Sequence, residues 1–138
     1  MGLLADLFVA DPTDAPSYSG HPTTDKARFE VRRFGRTTHL HFQILWAILE
    51  GEQYSSERHA LEAVSSGPSK WLYRFPAQFV DGLARLTPAD LEEVAEEWAA
   101  EPELSCTPDQ VQPLLDALVS LARSAKQSGR GLFHWGSL

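Results

Sequence analysis

The chain has 138 residues, of which 43% are hydrophobic and 22% charged, and this composition excludes an intrinsically disordered protein. Its net charge of −7 disfavours nucleic acid as a partner, because phosphates would be repelled. The single cysteine, Cys106, allows no disulfide within the chain, and no apolar run approaches the roughly 20 residues that cross a bilayer. We therefore expect one domain over residues 1–138, in the cytoplasm and without membrane attachment.

The chain opens with a short apolar segment and continues through a loop. Residues 1–10 lack the basic start of a signal peptide, and Asp6 interrupts their apolar run, so we expect a short structured segment. Residues 11–27 are rich in Pro, Gly, Ser and Thr, which predicts an irregular arm or loop. The alternation of polar and apolar residues in 28–34 then predicts a short, half-buried strand.

Helical spacing begins after residue 38. The apolar residues of 40–49 recur with the period of a buried helix, and Gly51 stands where a C-terminal glycine cap is expected. A second, shorter helix is predicted from Ser56 to Val64. The segment 70–75 is too short for its period to distinguish a strand from an extended lead into the next helix.

Helix signals are clearer in the second half. Apolar spacing predicts a helix over 76–86. The Thr-Pro pairs at 87–88 and 107–108 are typical of helix starts, with threonine as the N-cap and proline as the first helical residue. The last of these helices ends near Gly129. Because a proline inside a helix removes a backbone hydrogen bond, Pro113 predicts a kink or a later start.

The C-terminal segment 131–138 alternates Leu132 and His134 with Phe133 and Trp135, which predicts a short strand. We expect this strand to pair with 28–34 or with 70–75. Together these elements predict a mainly α fold, a single domain of about five helices with two or three short strands or extended segments.

The most informative feature is an acidic segment from Pro76 to Asp116. It contains ten Asp or Glu residues and one arginine, a net charge of −9. Like charges three or four residues apart destabilise a helix by roughly 0.2–0.5 kcal/mol per pair, so their retention favours a binding role. A solvated helix surface without a partner is the alternative. The predicted partner-binding residues are Glu92, Glu93, Glu96, Glu97 and Glu101.

Other chemistries have less support in the sequence. On a helix, residues two apart point about 200° apart, so His39 and His41 would chelate one metal ion only in an extended segment. Cys106 lies at a helix entrance without a catalytic signature around it. We therefore predict no catalytic residue, no metal and no cofactor. A tryptophan exposed beside the acids would be an anchor for a partner.

The order of these features resembles that of a group of small bacterial proteins without an established activity. The resemblance rests on residues 1–10, on the central helix 40–51, on the acidic, Trp-containing helix 91–101 and on a C-terminal region similar to 121–126 and 129–135. It implies a bacterial, cytoplasmic domain. No catalytic residue can be carried over from it.

Three functions follow as hypotheses. The first is a non-enzymatic module, such as an immunity protein or antitoxin, whose acidic face masks a basic protein partner. The second is a small enzyme whose site is assembled from scattered residues. The residues considered for such a site are Arg36, His39, His41, Tyr54 and His59. The third is a chaperone-like or regulatory partner protein.

Overall fold

The computed structural model describes residues 4–21, 25 and 28–138. Within this part of the chain there are five strands and four α-helices. The strands are β1 (Leu4–Ala10), β2 (Glu30–Gly35), β3 (Glu62–Ser66), β4 (Lys70–Arg74) and β5 (Gly131–Ser137). The helices are α1 (His39–Glu50), α2 (Ala77–Ala84), α3 (Pro88–Ala99) and α4 (Pro108–Ser128). All strands join one antiparallel sheet in the order β2-β1-β5-β4-β3. This is an α+β fold, so the predicted mainly α class is wrong.

The central strand β5 and its neighbour β1 are buried on both faces of the sheet. Leu7 pairs with His134 and Phe8 with Phe133 across them, so successive side chains alternate between the two faces. All four of these residues are almost completely buried. A sheet buried on both sides needs two covering layers, one on each face.

The helices form the first covering layer. Helix α4 crosses β1 and β5, α2 and α3 pack against α4, and α1 packs against α2 and α3. The apolar faces of these helices meet Leu7, Val9 and Leu132 of the sheet in the larger of two cores. Fully buried helix residues in this core include Phe42, Leu45, Phe79, Leu83, Trp98, Leu115, Leu118 and Leu121.

The arm predicted at 11–27 forms much of the second covering layer, as far as it is described. Ala15–Ser17 makes a 3₁₀ turn, and the following Tyr18 stacks on Phe8 of β1 with ring centroids 4.1 Å apart. Phe8, Phe133 and Trp135 belong to the same smaller core. Residues 22–24 and 26–27 of the predicted arm lie outside the described residues.

Several predicted elements change. The helix predicted from Ser56 to Val64 is wrong, since its last residues begin β3, an exposed edge strand paired with β4. The predicted segment 1–10 contains strand β1, which pairs with β2 and β5, although residues 1–3 lie outside the described residues. Strand β5 pairs with β4, as one alternative predicted, but its other neighbour is β1 rather than β2.

The helix starts are confirmed, with one correction. Thr87 and Thr107 are the N-caps of α3 and α4, each in a reciprocal capping box. Helix α4 contains Pro113 but begins at Pro108, so the alternative of a later start is wrong. Within the described residues, no helix combines the length and apolar character that a membrane crossing requires.

Candidate functional site

Helix α3 is held in place by its first turn and by one tryptophan. The Thr87 hydroxyl accepts the Asp90 N–H, and the Asp90 carboxylate accepts the Thr87 N–H. Near the other end, the ring N–H of Trp98 donates to the carbonyl of His41 at 3.0 Å. Trp98 and Ala95 are buried. These contacts fix the rotation of α3 and direct its opposite side to solvent.

The side of α3 that points to solvent carries four of the predicted glutamates, and the fifth, Glu101, follows the end of the helix. We define the acidic face as Glu92, Glu93, Glu96, Glu97 and Glu101. The first four side chains are exposed and Glu101 is partly buried. In the part of the chain that the structure describes, none of the five forms an ion pair. No Lys or Arg among those residues therefore lies within ion-pair distance of these carboxylates.

A groove of about 360 Å³, lined by residues of α1, α2, α3 and the α2–α3 loop, borders the acidic face. We call it the acidic groove. Its large apolar side chains, all partly buried, are Ile48, Leu49, Leu86 and Val94. Its charged side chains are Arg85, Asp90, Glu93 and Glu97. The groove thus combines apolar side chains with three carboxylates and one guanidinium.

One of these carboxylates is fixed in its charged form. The backbone N–H and the hydroxyl of Thr87 both stabilise the Asp90 carboxylate, which lowers its pKa below the usual value for aspartate. The negative charge at this end of the acidic groove therefore persists at any physiological pH.

The two histidines considered as a chelating pair occupy the first turn of α1. Nδ1 of His41 accepts the Thr38 N–H at 3.0 Å, and Nε2 lies 3.1 Å from the carbonyl of Glu103. Because Nδ1 accepts, the proton is on Nε2, and both nitrogens of His41 are engaged. The His39 ring instead stacks on Tyr73 at 4.5 Å. This arrangement does not present the two rings to one metal ion.

A third histidine, His134, lies in the core beneath α1. It is fully buried, and neither ring nitrogen has a hydrogen-bond partner among the described residues. Its ring meets Phe42 edge-on at 4.9 Å. Burial, helped by His39 and His41, lowers the pKa of His134 to about 3. It is therefore a neutral packing residue near pH 7 rather than a general base.

A cluster of potential metal ligands lies at the C-terminal end of α1 and consists of Glu50, Glu52 and His59. Their ligand atoms lie within 4.8 Å of one another. However, Nδ1 of His59 accepts the Ser55 N–H at 3.1 Å, so the proton of the neutral ring is on Nε2, the atom that faces the carboxylates. Arg58 also lies 2.6 Å from Glu50. Nε2 of His59 has no hydrogen-bond partner among the described residues, but in this tautomer it carries a proton rather than a free lone pair, so neither ring nitrogen is available to a metal.

The residues considered for a scattered enzyme site do not converge. Arg36 and His41 line a cleft near the start of α1. Tyr54 and His59 instead stack on each other with centroids 6.1 Å apart, beyond the C-terminal end of the helix. The 12 residues of α1 span about 18 Å, which separates the two groups.

None of the tryptophans serves as an exposed anchor beside the acidic face. Trp46, Trp98 and Trp135 are buried, and Trp71 is partly buried on β4. The apolar part of the site comes instead from Ile48 and Leu49. The helical period of 40–49 places Ile48 and Leu49 on the buried side of a helix. It does not predict the groove, because the partial exposure of these two side chains depends on where α3 packs.

Comparison of the chain with protein-family models, curated proteins and solved structures found no match. Function is therefore inferred from the geometry and charge of these sites.

Proposed function

We propose that this chain is a non-enzymatic protein-binding module whose acidic face receives a basic surface of a partner. The observation that carries the proposal is the exposure of four glutamates on one helix side, without a paired cation among the described residues, next to a groove with apolar side chains. A helix surface that serves only solvation usually mixes acids with lysines or arginines.

Charge supports a role in association. The segment from Pro76 to Asp116 carries a net charge of −9, whereas the rest of the chain is nearly neutral. A concentrated charge of one sign accelerates encounter with a surface of the opposite sign, and the effect decreases as salt screens it. Basic proteins are accordingly favoured as partners, and nucleic acids are disfavoured.

The acidic groove supports a more specific contact. A lysine or arginine has an apolar stem and a charged end, and such side chains pack their stems on apolar surface while the charge stays in a polar environment. Ile48 and Val94 offer that surface, and Glu93 and Glu97 offer the carboxylates. We expect at least one basic side chain of the partner to lie in the groove.

Occlusion is the mechanism that fits these features. A partner with a cationic functional surface, such as a nuclease-like toxin, would lose access to its anionic substrate when this face covers it. The module would then act as an immunity protein or antitoxin in the cytoplasm.

The test uses two baits with the same number of neutralised acids. In the first, Glu92, Glu93, Glu96 and Glu97 are replaced by glutamine. In the control, four exposed acids outside the acidic face are neutralised through Asp11→Asn, Asp14→Asn, Glu57→Gln and Glu62→Gln. Wild-type and variant proteins capture partners from lysate at low and high salt, and the affinity of each retained protein is then measured directly.

We expect a basic protein that binds the wild type and the control, and whose affinity for the first variant is lower by at least about tenfold. Equal affinity for both variants, or retention only of acidic or neutral proteins, would overturn the proposal.

A further inference from the structure

A second concave site, lined in part by Trp98, lies between the β2–α1 turn and the α3–α4 loop. This cleft has a volume of about 350 Å³. Its walls include the apolar side chains of Phe34, Trp98, Leu104 and Val111. Among the described residues no Asp or Glu lines the cleft, although the protein is strongly acidic, and Arg36 is the charged residue of that lining.

Most hydrogen-bond donors of the cleft are already engaged within the protein. Trp98 donates to the His41 carbonyl, and the Ser105 hydroxyl donates to the Pro102 carbonyl at 2.8 Å. The Thr37 hydroxyl donates to the Gly35 carbonyl at 3.0 Å. These donors are therefore not available to a ligand in the cleft.

Two strong donors remain uncommitted. Arg36 is exposed and forms neither an ion pair nor a side-chain hydrogen bond with any described residue. Gln110 uses its side-chain oxygen to accept the Thr107 N–H at 2.9 Å, which leaves its amide NH₂ without a partner among those residues. A guanidinium and an amide NH₂ that share one cleft are suited to an acceptor with negative charge.

The backbone on both sides of the cleft adopts an unusual conformation. Arg36 and Ser105 have φ values of 59° and 50°, and they are the two non-glycine residues with positive φ in the described part of the chain. Such conformations cost free energy and tend to occur at binding sites, where they orient side chains. Both residues line this cleft.

We propose that the cleft binds a small monocarboxylate with an apolar body. The carboxylate pairs with Arg36 and accepts a hydrogen bond from the Gln110 amide, while the apolar body lies against Phe34, Trp98 and Val111. The volume suits a ligand the size of a single ring with a short side chain. This site is separate from the acidic face, and its binding chemistry does not depend on the proposed protein partner.

Cys106 provides a direct readout, because it lines the cleft and is the single cysteine of the chain. Its alkylation by iodoacetamide is followed by mass spectrometry with and without hydrocinnamate, a phenyl ring linked to a carboxylate. Two controls separate the parts of the ligand. Hydrocinnamamide retains the ring without the charge, and acetate retains the charge without the ring.

Two variants test the donors. Arg36→Gln removes the guanidinium, and Arg32→Gln is the matched control on the adjoining strand β2, because Arg32 is exposed but does not line the cleft. Gln110→Glu retains the capping box with Thr107 while it places a negative charge at the cleft. Thermal unfolding of each variant establishes that it is folded before alkylation is measured.

Hydrocinnamate should slow alkylation of the wild type and of Arg32→Gln, and the concentration required should rise at least about tenfold in Arg36→Gln and Gln110→Glu. For the wild type, hydrocinnamamide and acetate should each protect Cys106 only at concentrations at least about tenfold higher than hydrocinnamate. Absence of protection, equal protection by the amide or by acetate, or equal effects in the two arginine variants would overturn the proposal.

Discussion

Arg33 on β2 contacts both carboxylate oxygens of Asp6 on the neighbouring β1, with Nε 2.6 Å from Oδ1 and Nη2 2.7 Å from Oδ2. Asp6 is fully buried. The Tyr18 hydroxyl donates to the same carboxylate at 2.5 Å, and Arg33 also donates to the Gly20 carbonyl at 2.9 Å. One buried charge therefore joins two strands to the arm that covers the second face of the sheet.

We expect Asp6→Asn to lower the free energy of unfolding by about 2–3 kcal/mol, because an uncharged amide cannot replace the charge-assisted bonds to Arg33. Denaturant titration measures the change. The control is Asp81→Asn, which removes an ion pair of 3.2 Å with Lys126 between side chains that are 47% and 52% exposed. That variant should lose less than about 1 kcal/mol. Similar losses in the two variants would show that the buried pair has no special role.

Two glycines with positive φ allow backbone strain to be separated from packing. Gly51 has φ 65°, and a methyl group added to it would have no atom within 4 Å, whereas the same group on Gly20, with φ 77°, would overlap the Trp135 ring. We expect Gly51→Ala to cost about 1 kcal/mol through conformation alone. Gly20→Ala should cost at least about 1 kcal/mol more, because the ring must move. Equal midpoints of thermal unfolding would contradict this packing between the arm and β5.

The buried His134 predicts sensitivity to acid. Its pKa is about 3 in the folded protein and about 6.5 in the unfolded chain, so the unfolded state takes up the proton first as the pH falls. Its contribution to stability is complete above pH ~6.5 and decreases toward pH ~3, by about 1.4 kcal/mol per pH unit. We expect His134→Leu to reduce this slope, measured by denaturant titration between pH 7 and pH 4.

Some acid sensitivity should remain in that variant, since burial also lowers the pKa of His39 and of His41. The control is His21→Leu, which replaces an exposed histidine and tests whether the change in slope is specific to His134. An unchanged slope in His134→Leu would mean that His134 takes up a proton in the folded state as readily as in the unfolded one.

The sequence predicts a helix correctly where one of its faces is buried and the other is exposed to solvent. The apolar period of α2 and the Thr-Pro starts of α3 and α4 are examples. Strand β1 is not recognisable as a strand because both of its faces are buried, which leaves an apolar run with little alternation. The sequence of β3 is mistaken for the end of a helix, because the strand is exposed throughout and its few apolar residues do not alternate clearly with polar ones. These two strands explain the wrong fold class.

The sequence likewise predicts one part of the candidate site and not the other. The exposed position of Glu93 and Glu97 follows from the helical period of α3 alone. The groove beside them requires Ile48 of α1, whose position relative to α3 depends in part on the Trp98 bond to His41, 57 residues away in the chain. A contact between residues so distant in sequence has no local signal.

The acidic face should cost stability. Glu93 and Glu97 are one helical turn apart, so the double replacement Glu93→Gln, Glu97→Gln should stabilise the protein by roughly 0.2–0.5 kcal/mol at low salt. The gain should disappear at about 1 M salt, where the screening length falls to about 3 Å. Denaturant midpoints at both salt concentrations measure it, with Glu57→Gln as an exposed control. A loss of stability would mean that the two acids serve the fold itself, which would remove the main reason to assign them to a partner.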